Sequence, residues 1–458
     1  MQWARLKAVW KRIFGLAWPV MAEQTFRTLM RTVDIIIAAL ISPAAVVAIG
    51  LADLYARFPL RIGLGMGGGA IALSSQDTGS GAQKNRSEAI TQALLIGTLA
   101  GIPFVVFGFL LGEFAIGLFP ASEEAVQLGA IYLAIIFATA PFRHIALIGA
   151  RALQGTGDTK TPMYVNVFAN SLNIGGSVLL GLGLFGAPTL GVVGVGIATS
   201  VANVVTAVLL LVVIYRPASS INLVRPRDWT IAKQLVVIAT PRMAEGFVAE
   251  VAEFPFNALL LGFGDSVNAG FQIGRRVYQQ VTGPLARGYN VAASIVVGQA
   301  LGDGDPATAR FNGWAVASLS VLTVGAIGLL LAWQAEPVVQ LLGSGDGEEL
   351  FYATQFAVVY GLSGPVLALF VGVSGSLQGA SETRIPFIAR LTGMFGFFVG
   401  FSYLAVVVLE WGIVGAYVGI FLAYLWMAAF VVIAFQYSGW ADRATRMMRD
   451  RGSVASDD

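Results

Sequence analysis

Apolar residues come in long runs separated by short polar punctuation, and most runs reach the length of about 20 residues that a bilayer crossing needs. Twelve such runs fall near 13–41, 46–75, 88–111, 125–152, 162–184, 191–215, 230–263, 267–299, 311–333, 350–378, 386–409 and 413–437. They predict an all-α polytopic membrane protein of twelve transmembrane helices. The basic, then apolar start "MQWARLKAVWKRIFGLAWPV" resembles a secretory leader only superficially. No small-residue cleavage site closes a short apolar core, and the pattern runs on to Ile41, so a first spanning helix is expected there.

The polar punctuation is sided. "SGAQKNRS", "GTGDTKTP", "YRPASSINLVRPRD", "GDGDPATAR" and "GASETRIP" hold the loop lysines and arginines. The opposite loops, around Glu113, Glu123, Glu124, Asp265, Asp346, Glu348, Glu349 and Glu410, hold none. Arg5, Lys7, Lys11 and Arg12 at the front and Arg443, Arg446, Arg449 and Arg451 at the back lie on the basic side. The positive-inside rule then predicts a multi-pass protein of the plasma membrane with both termini in the cytoplasm, as an even number of spans requires.

The pattern also repeats. "LAWPVMAEQ" (16–24) returns as "IATPRMAEG" (238–246), "SSQDTGSGA" (74–82) as "VGQALGDGD" (297–305), "ALQGTGDTKTP" (152–162) as "SLQGASETRIP" (376–386), and "GVVG" (191–194) as "GIVG" (412–415). Four motif pairs in order at nearly one spacing indicate two parallel six-helix repeats, related by an axis along the membrane normal. The expected organisation is a six-helix lobe over 1–215, a cytoplasmic linker over 216–229, a second lobe over 230–437 and a basic tail over 438–458.

Composition narrows the function. With 56% hydrophobic and 12% charged residues and a mean hydropathy of +0.75, the chain lies far outside the soluble range. A net charge of +2 gives no basic excess for nucleic acid, and the absence of cysteine excludes thiol chemistry and zinc-thiolate sites. "GLGMGGGA" (63–70) fits a dinucleotide fingerprint in form, but it lies inside a span with no βαβ unit, so close helix packing is expected. No phosphate-loop or ATP-hydrolysis signature is present, so any transport is driven by a gradient. No metal cluster or nucleophile–base pair suggests an enzyme, and no cofactor is implied.

Charges inside the runs are costly and therefore informative. The first span carries Glu23, Arg27, Arg31 and Asp34, and the second Asp53, Arg57 and Arg61. The seventh carries Arg242, Glu245, Glu250, Glu253 and Asn257; the eighth carries Gln272, Arg276, Gln279, Arg287 and Asn290, with Arg275 beside them. Each set occupies one helical face. Two readings compete: ion pairs such as Glu23 with Arg27 or Asp53 with Arg57 that hold register, and a water-filled substrate cavity lined by Glu23, Arg27, Arg31, Asp53, Arg57, Arg61, Glu250, Glu253, Arg276 and Arg287. A buried pair returns little more than its desolvation cost, which favours the cavity. His144, the only histidine, reads as a packing or pore-lining residue rather than a proton relay. Pro19 removes a main-chain hydrogen bond from the first span and is the expected bend.

The pattern from Pro19 to Asp34, "LQGTGDTKTPMYVNVFANSLNI" and "LGVVGVGIATSVAN" together resemble the multidrug and toxic compound extrusion (MATE) family, closest to its DinF-like prokaryotic branch, over nearly the whole chain. The resemblance implies secondary active export of organic compounds coupled to H⁺ or Na⁺. It places the coupling ion at Asp34, Asn173 and Thr199, with Asn170 preceding Asn173. The family's second aspartate falls here on Ser177, which leaves one carboxylate, and a Na⁺ at Asp34 is the sole metal implied. Glu250 and Glu253 lie near the family's seventh-span carboxylate. The arginine load is a departure that disfavours organic cations and suits anionic or zwitterionic cargo. Small organic molecules and membrane lipids are the implied partners, with no nucleic acid and no obligate protein. A lipid-linked precursor flippase, which often has fourteen helices, and a non-transporting scaffold are the alternatives.

Overall fold

The computed structural model describes residues 2–216, 219, 221–342 and 347–453. Asp346, three linker positions (217, 218 and 220) and the tail end 454–458 lie outside the described residues. The described residues contain helices and no strand. The first six spans are α1 (Gln2–Ile41), α2 (Pro43–Gly79), α3 (Gln83–Gly117), the broken pair α4 (Glu123–Ala138) and α5 (Ala140–Gly155), α6 (Lys160–Gly176) extended by a π-helical turn (Ser177–Gly181), and α7 (Val192–Tyr215). The second six are α8 (Trp229–Leu261), α9 (Asp265–Gly302), α10 (Pro306–Ser320) continuing through Val321–Gly325 into α11 (Ala326–Trp333), the broken pair α13 (Glu348–Leu362) and α14 (Gly364–Gly379), α15 (Arg384–Thr392) with its π-helical extensions Gly393–Phe401 and Leu404–Val408, and α16 (Ile413–Tyr437). Two short helices, α12 (Ala335–Leu342) and α17 (Trp440–Asp450), stand outside these spans.

By length and composition α2, α3, α7, α10 with α11, α15 with its extensions, and α16 each suffice to cross a membrane, and each broken pair does so as one span. The remaining four, α1, α6, α8 and α9, carry charges or, in α6, asparagines along the run, while α2 passes despite Asp53, Arg57 and Arg61.

The two breaks are repeat mates that the hydrophobic pattern alone does not reveal. α4 and α5 meet at 50°, α13 and α14 at 49°. Each second segment carries a proline at its start, Pro141 or Pro365, where the missing N–H costs the new helix nothing but ends the old one. A glycine receives each bend: a Cβ on Gly101 would sit 2.7 Å from the Pro141 main chain, and one on Gly325 3.0 Å from the Pro365 Cα.

Packing divides the chain into two compact units. One comprises Met1–Met21, Gly79–Gly81 and Thr240–Asp458, the other Ala22–Thr78 and Ala82–Ala239. The lobes expected from the repeat, 1–215 and 230–437, differ from these units at the first turns of α1 and α8. The start of α1 packs within the first unit: Ile13, Ala17 and Met21 join a core with Tyr289 and Val316, Trp10 Nε1 donates to the Ala315 carbonyl at 3.0 Å, and Arg12 donates to Gln299 Oε1 at 2.7 Å. The start of α8 packs within the second, where Leu235 lies on Gly69 so closely that a Cβ there would meet its carbonyl at 3.1 Å. Gly63 and Gly67 likewise receive His144, Leu147 and Arg151, so "GLGMGGGA" is a packing surface. The division points in α1 and α8 fall close to a proline, Pro19 or Pro241.

The expected linker is held along its second half. Ser87 Oγ accepts from the Asn222 amide at 3.1 Å, and Glu88 Oε1 accepts from the amides of Arg227 at 2.7 Å and Asp228 at 2.5 Å. The basic tail also folds: α17 buries Trp440, Ala444 and Met448, Trp440 stacks on Phe435 at 4.8 Å, and Arg443 Nε meets Glu382 at 2.7 Å.

Candidate functional site

In the unit built from Ala22–Thr78 and Ala82–Ala239, the second half of α1 turns Asp34 inward while Ile35 and Ile36 point out, so the carboxylate is 7% exposed. Opposite it, α6 loosens into its π-helical turn at Ser177, a local widening that collects at functional sites. Ser177 Oγ lies 2.9 Å from Asp34 Oδ1 and 3.3 Å from Asn173 Oδ1. Asn173 Nδ2 donates to Thr199 Oγ1 of α7 at 3.0 Å, and Tyr132 of α4 lies beside Thr199. The close approach of α6 and α7 that this requires depends on Gly194, whose Cβ would fall 2.4 Å from the Leu180 carbonyl oxygen.

The structure therefore brings together Asp34, Asn173, Ser177 and Thr199, and adds Tyr132, which sequence reasoning missed because an aromatic in an apolar run carries no signal of its own. Asn170 stays apart: its Nδ2 is buried without a hydrogen-bond partner among the described residues. The second repeat has nothing comparable. At the repeat spacings, Asp34, Asn173, Ser177 and Thr199 correspond to Phe256, Phe397, Phe401 and Ile420. Phe256 stacks on Phe398 at 4.0 Å and shares a core with Ile420. The polar pocket belongs to one repeat alone.

The other first-repeat charges divide. Glu23 is buried, pairs with Arg27 at 3.3 Å and accepts from Gln154 Nε2 of α5 at 3.4 Å, so it joins α1 to α5. Arg31, Asp53 and Arg57 are exposed, Arg61 is half-buried, and Asp53 and Arg57 form no ion pair. His144 is enclosed, with Nδ1 2.7 Å from the Gly97 carbonyl and Nε2 2.8 Å from that of Pro59; it ties α5 to α3 and α2.

The unit containing Thr240–Asp458 holds two further networks. Glu253 pairs with Arg275, which donates to Gln272 at 3.0 Å and lies over the Phe271 ring; Gln272 donates to Asn257 at 2.7 Å. Of the two neighbouring arginines in the eighth-span stripe, Arg275 is the one paired with α8. Arg275 faces α8, whereas Arg276 and Arg287 are exposed, because one step along a helix turns a side chain by about 100°. Glu250 is half-buried one turn from Glu253. In the second network, Glu245 is buried between Arg242 at 2.8 Å and Arg390 of α15 at 3.0 Å. Arg390 went unnoticed in the sequence, although the repeat pairs it with Asn166 and so marks a gained charge.

The family model described as MatE matches residues 19–179 and again 241–404, once in each repeat. "Probable multidrug resistance protein NorM" of Thermotoga maritima is 26% identical over 448 residues, covering 96% of this chain and 95% of its own. "Multidrug resistance protein PmpM" of Pseudomonas aeruginosa is 28% identical over 403 residues, covering 86% and 83%. A solved structure described as an outward-facing conformation of a multidrug resistance MATE family transporter of the MOP superfamily matches with a TM-score of 0.87 at 19% identity, over 96% of this chain and 97% of that one. That last likeness shows the fold: all-α, with twelve spanning helices in two parallel repeats.

Proposed function

The chain belongs to the MatE family of membrane transporters, and on that premise we propose that it exports small organic compounds by antiport against protons carried on Asp34. The observation that carries the coupling step is the position of Ser177, whose single hydroxyl proton has two acceptors, Asp34 Oδ1 at 2.9 Å and Asn173 Oδ1 at 3.3 Å. When Asp34 is ionised, the hydroxyl donates to it. When Asp34 takes up a proton, the carboxyl becomes the donor to Ser177 Oγ, and the serine proton turns to Asn173 Oδ1. Each state has its own complete set of hydrogen bonds, so proton uptake resets the contact between α1 and α6 without leaving a buried donor unsatisfied. Pro19, about four turns earlier in α1, supplies a weak point at which the helix bends in response.

Sodium draws on the same oxygens. Asp34, Ser177 and Asn173 form a small set of hard donors, and one carboxylate would balance one Na⁺. Purified protein in liposomes, loaded with a cationic, an anionic and a zwitterionic compound, separates the readings when pH and sodium gradients are imposed one at a time. Efflux driven by the pH gradient alone supports proton coupling; efflux driven only by sodium overturns it; no efflux of any compound refutes export and leaves a flippase or scaffold. The sided loop charges support a plasma-membrane protein with both termini in the cytoplasm. Because the chain has no cysteine, single cysteines placed at Ser80 and Glu410 test that sidedness directly by labelling.

A further inference from the structure

The Glu245 cluster holds more positive charge than its own fold uses. Arg242 NH1 and Arg390 Nε each donate to a different oxygen of the Glu245 carboxylate, at 2.8 and 3.0 Å, which leaves two guanidiniums sharing one buried carboxylate and one net positive charge. The remaining donors are poorly served. Arg242 NH2 reaches Asn290 Oδ1 only at 3.4 Å, and neither terminal nitrogen of Arg390 has a hydrogen-bond partner among the described residues. Asn290 is itself fixed by donating to the Val371 carbonyl at 3.2 Å, and Arg390 is fixed by lying over the Phe370 ring at 5.0 Å. Both side chains keep about a quarter of their surface exposed, 28% for Arg242 and 22% for Arg390. Two positioned forks, short of acceptors and one of them set against an aromatic ring, are costly to keep within membrane-spanning helices unless they bind something.

We propose that Arg242 and Arg390, oriented by Glu245, Asn290 and Phe370, form a binding site for the anionic group of an amphipathic organic compound, a carboxylate or phosphate. The planar forks match an oxyanion's two acceptor oxygens. Glu245 acts as a positioning residue: it aims both arginines and holds the charge of the site at one, so that a monoanion neutralises it. This rests on the export reading only in treating the bound compound as cargo.

Equilibrium binding in lipid nanodiscs tests the site with pyrenebutanoate and its trimethylammonium counterpart, which share the aromatic body and differ in the sign of the head group; empty nanodiscs correct for partition into lipid. Arg390→Gln and Arg242→Gln each lower the ratio of anion to cation affinity by at least about tenfold, the scale of a hydrogen bond to a charged group. Glu245→Gln raises that ratio, since it removes the competing carboxylate. A gain of binding cannot come from misfolding, so the proposal stays falsifiable if an arginine variant is unstable. An unchanged ratio in both arginine variants, or a fall in Glu245→Gln, overturns the site. Binding is measured without a gradient, so its failure removes the anion site whatever the wild-type liposomes do, and failure of gradient-driven efflux in those liposomes removes export whatever binds.

Discussion

Glu88 fastens the connection between the repeats, and the strength of that fastening can be worked out. Its Oε1 accepts from the Arg227 amide at 2.7 Å, the Asp228 amide at 2.5 Å and Gln92 Nε2 at 3.0 Å, in a site where the glutamate is 8% exposed. A hydrogen bond to a charged group contributes about 1.5–3 kcal/mol, so the two main-chain bonds together hold residues 221–228 with roughly 3–6 kcal/mol. Glu88→Ala should raise the opening equilibrium of that segment roughly 100- to 10,000-fold. Glu88→Gln, which keeps a neutral acceptor about half as strong, should fall between it and the wild type. Hydrogen–deuterium exchange followed by mass spectrometry reads this directly in peptides covering 221–230, with peptides around Asp34 as an internal reference. Exchange at 227 and 228 that stays at the wild-type rate in Glu88→Ala would refute the clamp.

Two stability predictions follow from the backbone. Gly101→Ala and Gly325→Ala should each cost about 1–3 kcal/mol, because the new methyl meets proline backbone at the helix breaks; thermal unfolding in detergent checks this, and Gly15→Ala, where a Cβ meets nothing within 4 Å, should be neutral or slightly stabilising. Gly191 precedes α7 with φ 56° and ψ −132°, a conformation open essentially to glycine alone, so Gly191→Ala should lower stability by about 1–3 kcal/mol in the same assay.

The spans were legible because each is an apolar run bounded by loop polarity, and the repeat was legible because Pro19, Gln76, Gln154 and Gly194 return at nearly constant spacing. The 50° breaks were not. Pro141 and Pro365 stand in plain view, but a proline near an apolar run's middle reads equally as a kink or a new start until its receiving glycine is known. Nor could the sequence tell that the first turns of α1 pack with Tyr289 and Val316, since that pairing joins residues about 280–300 positions apart and depends on tertiary fit alone.

At the candidate site, the motif resemblance singled out Asp34, Asn173, Ser177 and Thr199, and the structure places them in one hydrogen-bonded chain. Asn170, one turn earlier, has a buried Nδ2 with no hydrogen-bond partner among the described residues, a difference that helical spacing without a partner helix does not reveal. Arg275 and Arg276 are neighbours in one stripe, and only the position of Glu253 on α8 decides which of them is paired there. Arg390 illustrates what comparing the repeats position by position adds, because a charge that replaces Asn166 in a duplicated helix is visible as a difference even where the apolar run around it hides it.

If Asp34 carries the coupling proton, Asp34→Asn in proteoliposomes removes coupling and leaves the transport pathway intact. The amide keeps the size of the carboxylate and its hydrogen bond with Ser177 but cannot exchange a proton. The variant should fold, still exchange cargo across the membrane at equal pH and show no efflux driven by a pH gradient. Gradient-driven efflux at the wild-type rate in that variant would contradict a coupling role for Asp34.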